Sequence, residues 1–553
     1  MAEESFDYVV VGAGSAGCVL ANRLSEDGRA SVLLLEYGGS DSSILIQMPS
    51  AFSLPLNMPA YDWGYRTEPE PHLGGRSLST PRGKLLGGSS SINGLVYVRG
   101  HALDFERWAS EGAEGWSYAQ VLPYFRRAET RALGGDAWRG ESGPLHTCYG
   151  RLANPLYGAF IAAAKAAGYS ESADLNGFRQ EGFGRLDMTV HRGRRWSAAN
   201  AYLKPALPRR NLALRTRALA LEITLEAHRA TGVRYDRGGV EHFARARREV
   251  ILAAGPVNSP QLLKLSGIGP ADELKAHGIA LKHHLPGVGE NLQDHLELYF
   301  QLECTQPITL YAATRPLAKA LIALRWLLRH DGLGASNHFE VGGFIRSAAG
   351  VRHPDLQYHF LPLAMSYDGR TLAAGHGFQV HVGPLRSQSR GRVRLASADP
   401  WAKPRLFFDY MSAPEDWQEM RAAVRLTREI MAQAPLARFR GRELQPGEEA
   451  VSDAEIDAFV RAKAESAYHP CGTCRMGSAA DPLAVVDAET CVIGLERLRV
   501  VDSSIMPSIT SGNLNAPTIM IAEKAADHIR GRAPPAPSDA AFHVAPDWER
   551  RQR

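Results

Sequence analysis

The chain has 553 residues, 44% of them hydrophobic and 22% charged, and a net charge of +4. This balance fits a globular protein with a large core, built as one very large domain or two to three interwoven ones. So small a charge gives no footing for nucleic acid, and no zinc-finger, RNA-recognition or basic-stripe pattern is present.

The six cysteines are too scattered and too few for a disulfide framework, and they point to a reducing compartment. The N-terminus is acidic and runs straight into a strand, without the basic and apolar regions of a signal peptide. A cytoplasmic location is the expectation. No run approaches the roughly 20 apolar residues of a membrane span.

In chain order, residues 8–11 form a β-branched strand, followed by a glycine turn and a helix through Leu24. A second strand, 31–35, ends at Glu36. Strand, helix and strand imply a parallel sheet. The turn reads Gly12-Ala13-Gly14-Ser15-Ala16-Gly17. Its first glycine permits the tight turn, its second lets a pyrophosphate approach the backbone, and its third lets helix and strand pack closely. Glu36 can bind ribose hydroxyls. Together these predict a dinucleotide site but do not separate FAD from NAD.

Residues 81–94 are a Gly- and Ser-rich stretch, read equally well as a plain loop or as backbone laid close to a ligand. A strand at 249–254 leads into residues 255–260, where Ser259 suits an N-cap, Pro260 a first helical turn and Gly267 the helix end. Residues 317–328, with Lys319 and Arg325, read as an amphipathic helix, either packed on the protein surface, the blander account, or in contact with a membrane surface. Residues 297–458 carry alternating strand-like patches and a helix over 414–433.

Further on, Tyr468-His469-Pro470-Cys471-Gly472-Thr473-Cys474 contains a Cys-x-x-Cys. With no second cysteine pair at metal spacing, two structural thiols are expected and no metal. A strand at 498–502 precedes residues 511–518, and Pro517 can start a helix reaching Arg530 whose N-terminus would stabilise negative charge. The tail after Arg532 is expected to be loosely held.

Taken together, these five glycine-, histidine- and asparagine-bearing stretches resemble the glucose–methanol–choline (GMC) oxidoreductases, from Tyr8 to about Arg530. Residues 84–99 and 255–269 look like the family's two signatures. The resemblance implies an α/β fold, a Rossmann-like FAD-binding domain with an inserted α+β substrate-binding domain. The FAD domain is expected from 1–155, 196–296 and 459–532, the substrate domain from 156–195 and 297–458, and a tail from 533–553.

The resemblance further implies an FAD-dependent alcohol dehydrogenase with His469 as base and Asn513 as hydrogen-bond donor. It places Gly12, Gly14, Ser15, Gly17 and Glu36 on the cofactor, then Arg82, Gly83, Leu86, Gly87, Gly88, Ser89, Asn93, Gly94, Leu95 and Val96. Ala254, Gly255, Asp502, Asn515, Pro517 and Thr518 complete that set. Some oxidases of the family attach FAD through a histidine after the Gly-Ser run. Here that position reads Ile92, so non-covalent FAD is expected.

Residues 65–71, 285–298, 334–340, 358–362, 416–419 and 469–474 look like the choline-oxidising branch. Choline is then the implied substrate, with Glu340 as carboxylate and Trp63 and Tyr468 as aromatic walls. Glycine betaine is the implied end product. The implied electron acceptor is a quinone or another carrier, and the implied location is peripheral on the inner membrane. The oligomeric state is left open. Three rival readings stay open: a dehydrogenase or oxidase for another primary alcohol, a lyase that keeps flavin only as scaffold, and a NAD-binding or purely structural protein.

Overall fold

A computed structural model describes residues 2–365 and 375–553. The chain opens with β1 (Ala2–Val11), α1 (Ser15–Ser25) and β2 (Val32–Glu36). β3 (Gly182–Arg185) joins a second sheet, and β4 (Leu212–Thr216), β5 (Ala218–Glu226), β6 (Arg229–Arg237) and β7 (Val240–Leu252) return to the first. Next come α2 (Gly255–Leu265), β8 (Leu296–Cys304) and α3 (Pro316–Arg329). β9 (Val341–Ile345), β10 (Leu356–Leu361) and β11 (Gly377–Pro384) follow, then α4 (Pro414–Met431) and β12 (Arg440–Gln445). β13 (Leu498–Val500) and α5 (Asn515–Arg530) close the framework.

In the first sheet, β4, β2, β1, β7 and β13 run parallel, while β6 and β5 extend it in antiparallel fashion. Val9, Val10 and residues 32–35 are fully or almost fully buried, as a parallel sheet covered on both faces requires. The register aligns Leu35, Val11, Leu252 and Val500 across neighbouring strands. The strands therefore end together, and Glu36, Gly12, Ala253 and Asp502 emerge along one edge. Ligands of open α/β sheets bind outside such carboxyl ends.

The second sheet is antiparallel, in the order β12, β8, β11, β10, β9, β3. Its strands alternate with period two. Leu296, Leu298, Phe300 and Leu302 of β8 join Leu356, Tyr358 and Phe360 of β10 and Phe378, Val380 and Val382 of β11 in one apolar core, to which α4 also contributes. The intervening side chains, Glu297, Tyr299, His359, Gln379 and His381, face a cavity between the two sheets.

Two expectations are corrected. α3 is not packed along an apolar face: only Trp326 is buried, and its leucines face outward. The tail after Arg532 is docked by backbone and side-chain hydrogen bonds. Ser538 N–H donates to the Ala119 carbonyl (2.8 Å), Trp138 Nε1–H to Ala541 (2.8 Å), His543 N–H to Phe178 (2.9 Å) and Gly350 N–H to Trp548 (2.8 Å). Arg346 binds the Arg551 carbonyl (2.5 Å). A tail rich in proline pays little conformational entropy to be laid down this way.

Candidate active site

The cavity over the strand ends measures about 470 Å³. At one end, Gly12 adopts φ +99°, and a Cβ there would come within 2.6 Å of the Ala253 carbonyl oxygen. Only glycine permits this turn. A Cβ on Gly88 would lie 2.7 Å from Gly14 Cα, so the two glycine turns meet backbone to backbone and leave a slot. Gly14 caps α1 without any side-chain hydrogen bond, leaving the first N–H groups of the helix for an anion.

Glu36 accepts the Ala13 N–H (2.9 Å) and the Gly38 N–H (2.7 Å). Burial pushes its carboxyl up to about 7, against the pull of these two donors. Asp502 accepts the Gly255 N–H (2.9 Å) and the Ser259 hydroxyl (2.6 Å), so it ties β13 to the start of α2. Ser15 donates to Asn515 (2.8 Å), linking the starts of α1 and α5. Glycine cradle, helix N-termini and buried carboxylate together fit a dinucleotide such as FAD.

At the other end stands His469. Tyr468 before it takes the left-handed φ of +65°, and Pro470 after it favours extended backbone at His469. Such strain persists only where the surroundings hold it. Here Asp294 accepts the His469 N–H (2.7 Å), and Arg82 binds the Tyr468 carbonyl (2.6 Å).

The ring contacts of His469 fix its tautomer. His295 Nε2 lies 2.9 Å from the Leu385 carbonyl, which can only accept, so His295 is protonated at Nε2. Burial holds the His295 pKa down at about 4, so it is neutral and its Nδ1 carries a lone pair. His469 Nδ1 is 3.0 Å from that lone pair and must donate. Burial, reinforced by His295 and His359, pushes the His469 pKa well below its ordinary value. A neutral ring with Nδ1–H leaves Nε2 as the base. Asn513 Nδ2–H donates to it at 3.0 Å, and Asn513 Oδ1 accepts from Gln357 (3.2 Å). An alcohol oxygen set against these two atoms would donate its O–H to Nε2 and accept the amide N–H.

The wall facing His469 is the polar side of the second sheet. Tyr299 and His359 both register with His381, and Tyr299 stacks on the His381 ring at 3.9 Å. His381 Nδ1 contacts Glu297 at 2.9 Å. The Tyr468 phenol is held protonated by burial and by the nearby charges of Glu465 and Glu297. A carboxylate thus stands among aromatic faces.

Glu340 is a correction. Its carboxylate accepts the Leu152 N–H (2.6 Å) and the Ser336 hydroxyl (2.7 Å), and a Cβ on Gly150 would overlap it. It braces the turn at 150–152, and its neighbour Phe339, not Glu340, lines the cavity. Trp63 does line the cavity, stacked between Tyr37 (4.9 Å) and Tyr65 (5.8 Å); Tyr468 lines it too.

Of the cofactor set, Gly17, Leu86, Gly87 and Pro517 lie outside the lining. A Cβ on Gly17 would sit 1.8 Å from the Gly12 carbonyl oxygen, so Gly17 serves helix packing, and one on Gly87 would meet the Ser91 hydroxyl at 2.2 Å. Leu86 and Pro517 are buried. The remaining members of that set line the cavity, as do His469 and Asn513.

Sequence reasoning missed Glu297, Tyr299, His359 and His381. Their signal was polar residues at alternate positions of strands whose other positions are wholly apolar. Cys471 and Cys474 are buried free thiols, and burial raises both pKa values. Among the described residues no His, Cys, Asp and Glu cluster could hold a metal ion.

Comparison with known proteins agrees with this geometry. Two family models described as GMC oxidoreductase match residues 6–297 and 387–522. A Brucella anthropi protein named oxygen-dependent choline dehydrogenase is 58% identical over 543 residues, covering 98% of this chain and 99% of its own. Among solved structures, pyridoxine 4-oxidase from Mesorbium loti is 33% identical with a TM-score of 0.86, covering 95% of this chain and 99% of its own. An R554A variant of Aspergillus oryzae formate oxidase, whose description concerns FAD modification, is 26% identical with a TM-score of 0.88, covering 96% and 98%. The chain therefore belongs to the GMC oxidoreductase family of FAD-dependent enzymes that act on CH–OH donors.

Proposed function

We propose that the chain oxidises choline to betaine aldehyde, and the hydrated aldehyde on to glycine betaine. The observation that carries the reading is a single cavity holding a neutral His469 whose Nε2 lone pair accepts the Asn513 amide, with the Glu297 carboxylate among aromatic faces. A quaternary ammonium has no N–H to donate, so it needs a carboxylate and ring faces. The name of the Brucella anthropi relative supports the same substrate.

When bound, FAD supplies the ring that accepts the hydride. The chain's own part is to hold the alcohol and take its proton. His469 Nε2 accepts the O–H proton as the hydride leaves the carbinol carbon. The imidazolium so formed strengthens its Nδ1–H bond to His295, which passes the polarisation to the Leu385 carbonyl. Asn513 donates to the oxygen while it carries negative charge.

Gly12, Gly14, Ser15 and Glu36 hold the nucleotide end in this reading, and Ala254, Gly255, Asp502 and Asn515 extend the site toward His469. Ile92 is buried against Ile46 and Leu85 and presents no nucleophile, which supports non-covalent FAD. The FAD domain comprises 1–155, 196–296 and 459–532, and the substrate domain 156–195 and 297–458. The electrons leave to a membrane carrier such as a quinone, from a peripheral position on the inner membrane; among the described residues no helix is long and apolar enough to cross it.

The test is anaerobic flavin reduction by a panel of alcohols. Choline should bleach the flavin fastest and butanol slowly. No bleaching by choline refutes the substrate, and reoxidation faster with oxygen than with a quinone refutes the acceptor.

A further inference from the structure

α3 is held to the protein by one buried side chain. Trp326 donates its Nε1–H to the Gly193 carbonyl (2.7 Å) and packs tightly over Gly334, where a Cβ would come within 2.8 Å of the tryptophan Cβ. The spacing of Leu317, Leu321, Leu324 and Leu328 sets them in one line along the helix, on the side opposite Trp326. These four are between 52% and 74% exposed, and Leu327 beside them is 55% exposed. A monomeric surface seldom leaves such a row open.

The charges around the row all have one sign. Arg315, Lys319, Arg325 and Arg329 lie within residues 314–330, and no acidic residue does. Arg325 and Arg329 flank the leucines, and Arg325 pairs with Asp331 just beyond the helix (2.6 Å). Two copies meeting through this face would bring their cations together. An anionic surface with an apolar interior matches both features.

We infer that α3 docks the protein on an anionic lipid bilayer, with the leucine row in the acyl boundary and the arginines among the headgroup phosphates. Leu310 and Tyr311, just before α3, pack on the cluster containing Phe339 and Leu361, which line the cavity. Docking through α3 therefore brings one cavity wall close to the membrane. The inference rests on the peripheral location proposed above and not on the substrate. Alcohol-driven bleaching and vesicle binding are measured separately, so one can fail while the other stands.

The test is flotation of the FAD-loaded protein with vesicles of phosphatidylglycerol and phosphatidylcholine, or of phosphatidylcholine alone. The protein should float with the anionic vesicles and bind them at least tenfold less well at high salt, as expected of a screened contact. Leu321→Glu with Leu328→Glu should weaken binding at least tenfold, leaving FAD content and flavin reduction unchanged. No flotation with anionic vesicles at low salt overturns the inference, as does equal binding by the double variant. A lipid-free dimer that the double variant turns into monomer also overturns it, since a second copy would then cover the face.

Discussion

Replacing Glu297 with Gln separates the proposed cation site from the rest of the chemistry. The carboxylate lines the cavity and is 8% exposed, with His381 on one oxygen. Opposite charges about 4 Å apart attract by ~4 kcal/mol at an effective dielectric near 20. Gln keeps an oxygen dipole in the same place, so the expected loss is ~2–4 kcal/mol, roughly 30- to 1,000-fold in affinity. The assay is anaerobic flavin titration and steady-state kinetics with choline and with its carbon isostere, in which a tert-butyl group replaces the trimethylammonium. Choline should lose affinity by that factor while the isostere changes little. Equal losses for the two alcohols, or a choline effect under about threefold, would refute the reasoning and make Glu297 a brace for His381.

His295→Ala removes the acceptor that fixes His469 and receives its charge; losing a hydrogen bond to a charged group costs ~1.5–3 kcal/mol, so flavin reduction should slow roughly 10- to 150-fold with FAD content unchanged. A rate near that of the parent, measured by stopped flow, would show that the tautomer is fixed elsewhere. Glu340→Gln sets an amide NH₂ against the Leu152 N–H or the Ser336 hydroxyl, and it should lower stability by about 1–3 kcal/mol without a choline-specific effect; a selective rise in the choline KM would contradict the brace. Glu36 titrates at about 7 before FAD binds, and ribose hydroxyls favour its ionised form. FAD affinity should therefore be full above that pH and fall as pH drops through it, by up to about tenfold per unit. A flat titration of FAD fluorescence quenching, identical to that of Glu36→Gln, would exclude this coupling.

The nucleotide end was the most legible part of the sequence. Gly12 to Gly17, the strands flanking them and Glu36 are local features, and their chemistry follows from spacing along a few dozen residues. His469 with Asn513 was legible only through family resemblance, since one histidine beside a proline has many structural explanations. The carboxylate of the proposed cation site was placed on Glu340, which lies outside the cavity, and not on Glu297, which lines it. Phe339 lines the cavity and Glu340 points away, because adjacent side chains entering a strand face opposite sides. Glu297 and Tyr299 on β8 lie far from His381 in sequence and meet it only through the register of β8 and β11. The α3 helix was legible, with its apolar face read either as packed on the protein or as laid on a membrane; the sequence could not choose, because amphipathicity does not say which face meets the protein.

The docked tail has a consequence for assembly. The last twenty or so residues run from Ala119, on the layer carrying the first sheet, to Arg346 and Glu429, on the layer carrying the second. They latch the two halves together. Residues 538–553 thus work as a strap across both layers, so the hold of one layer on the other depends in part on residues that do not line the cavity.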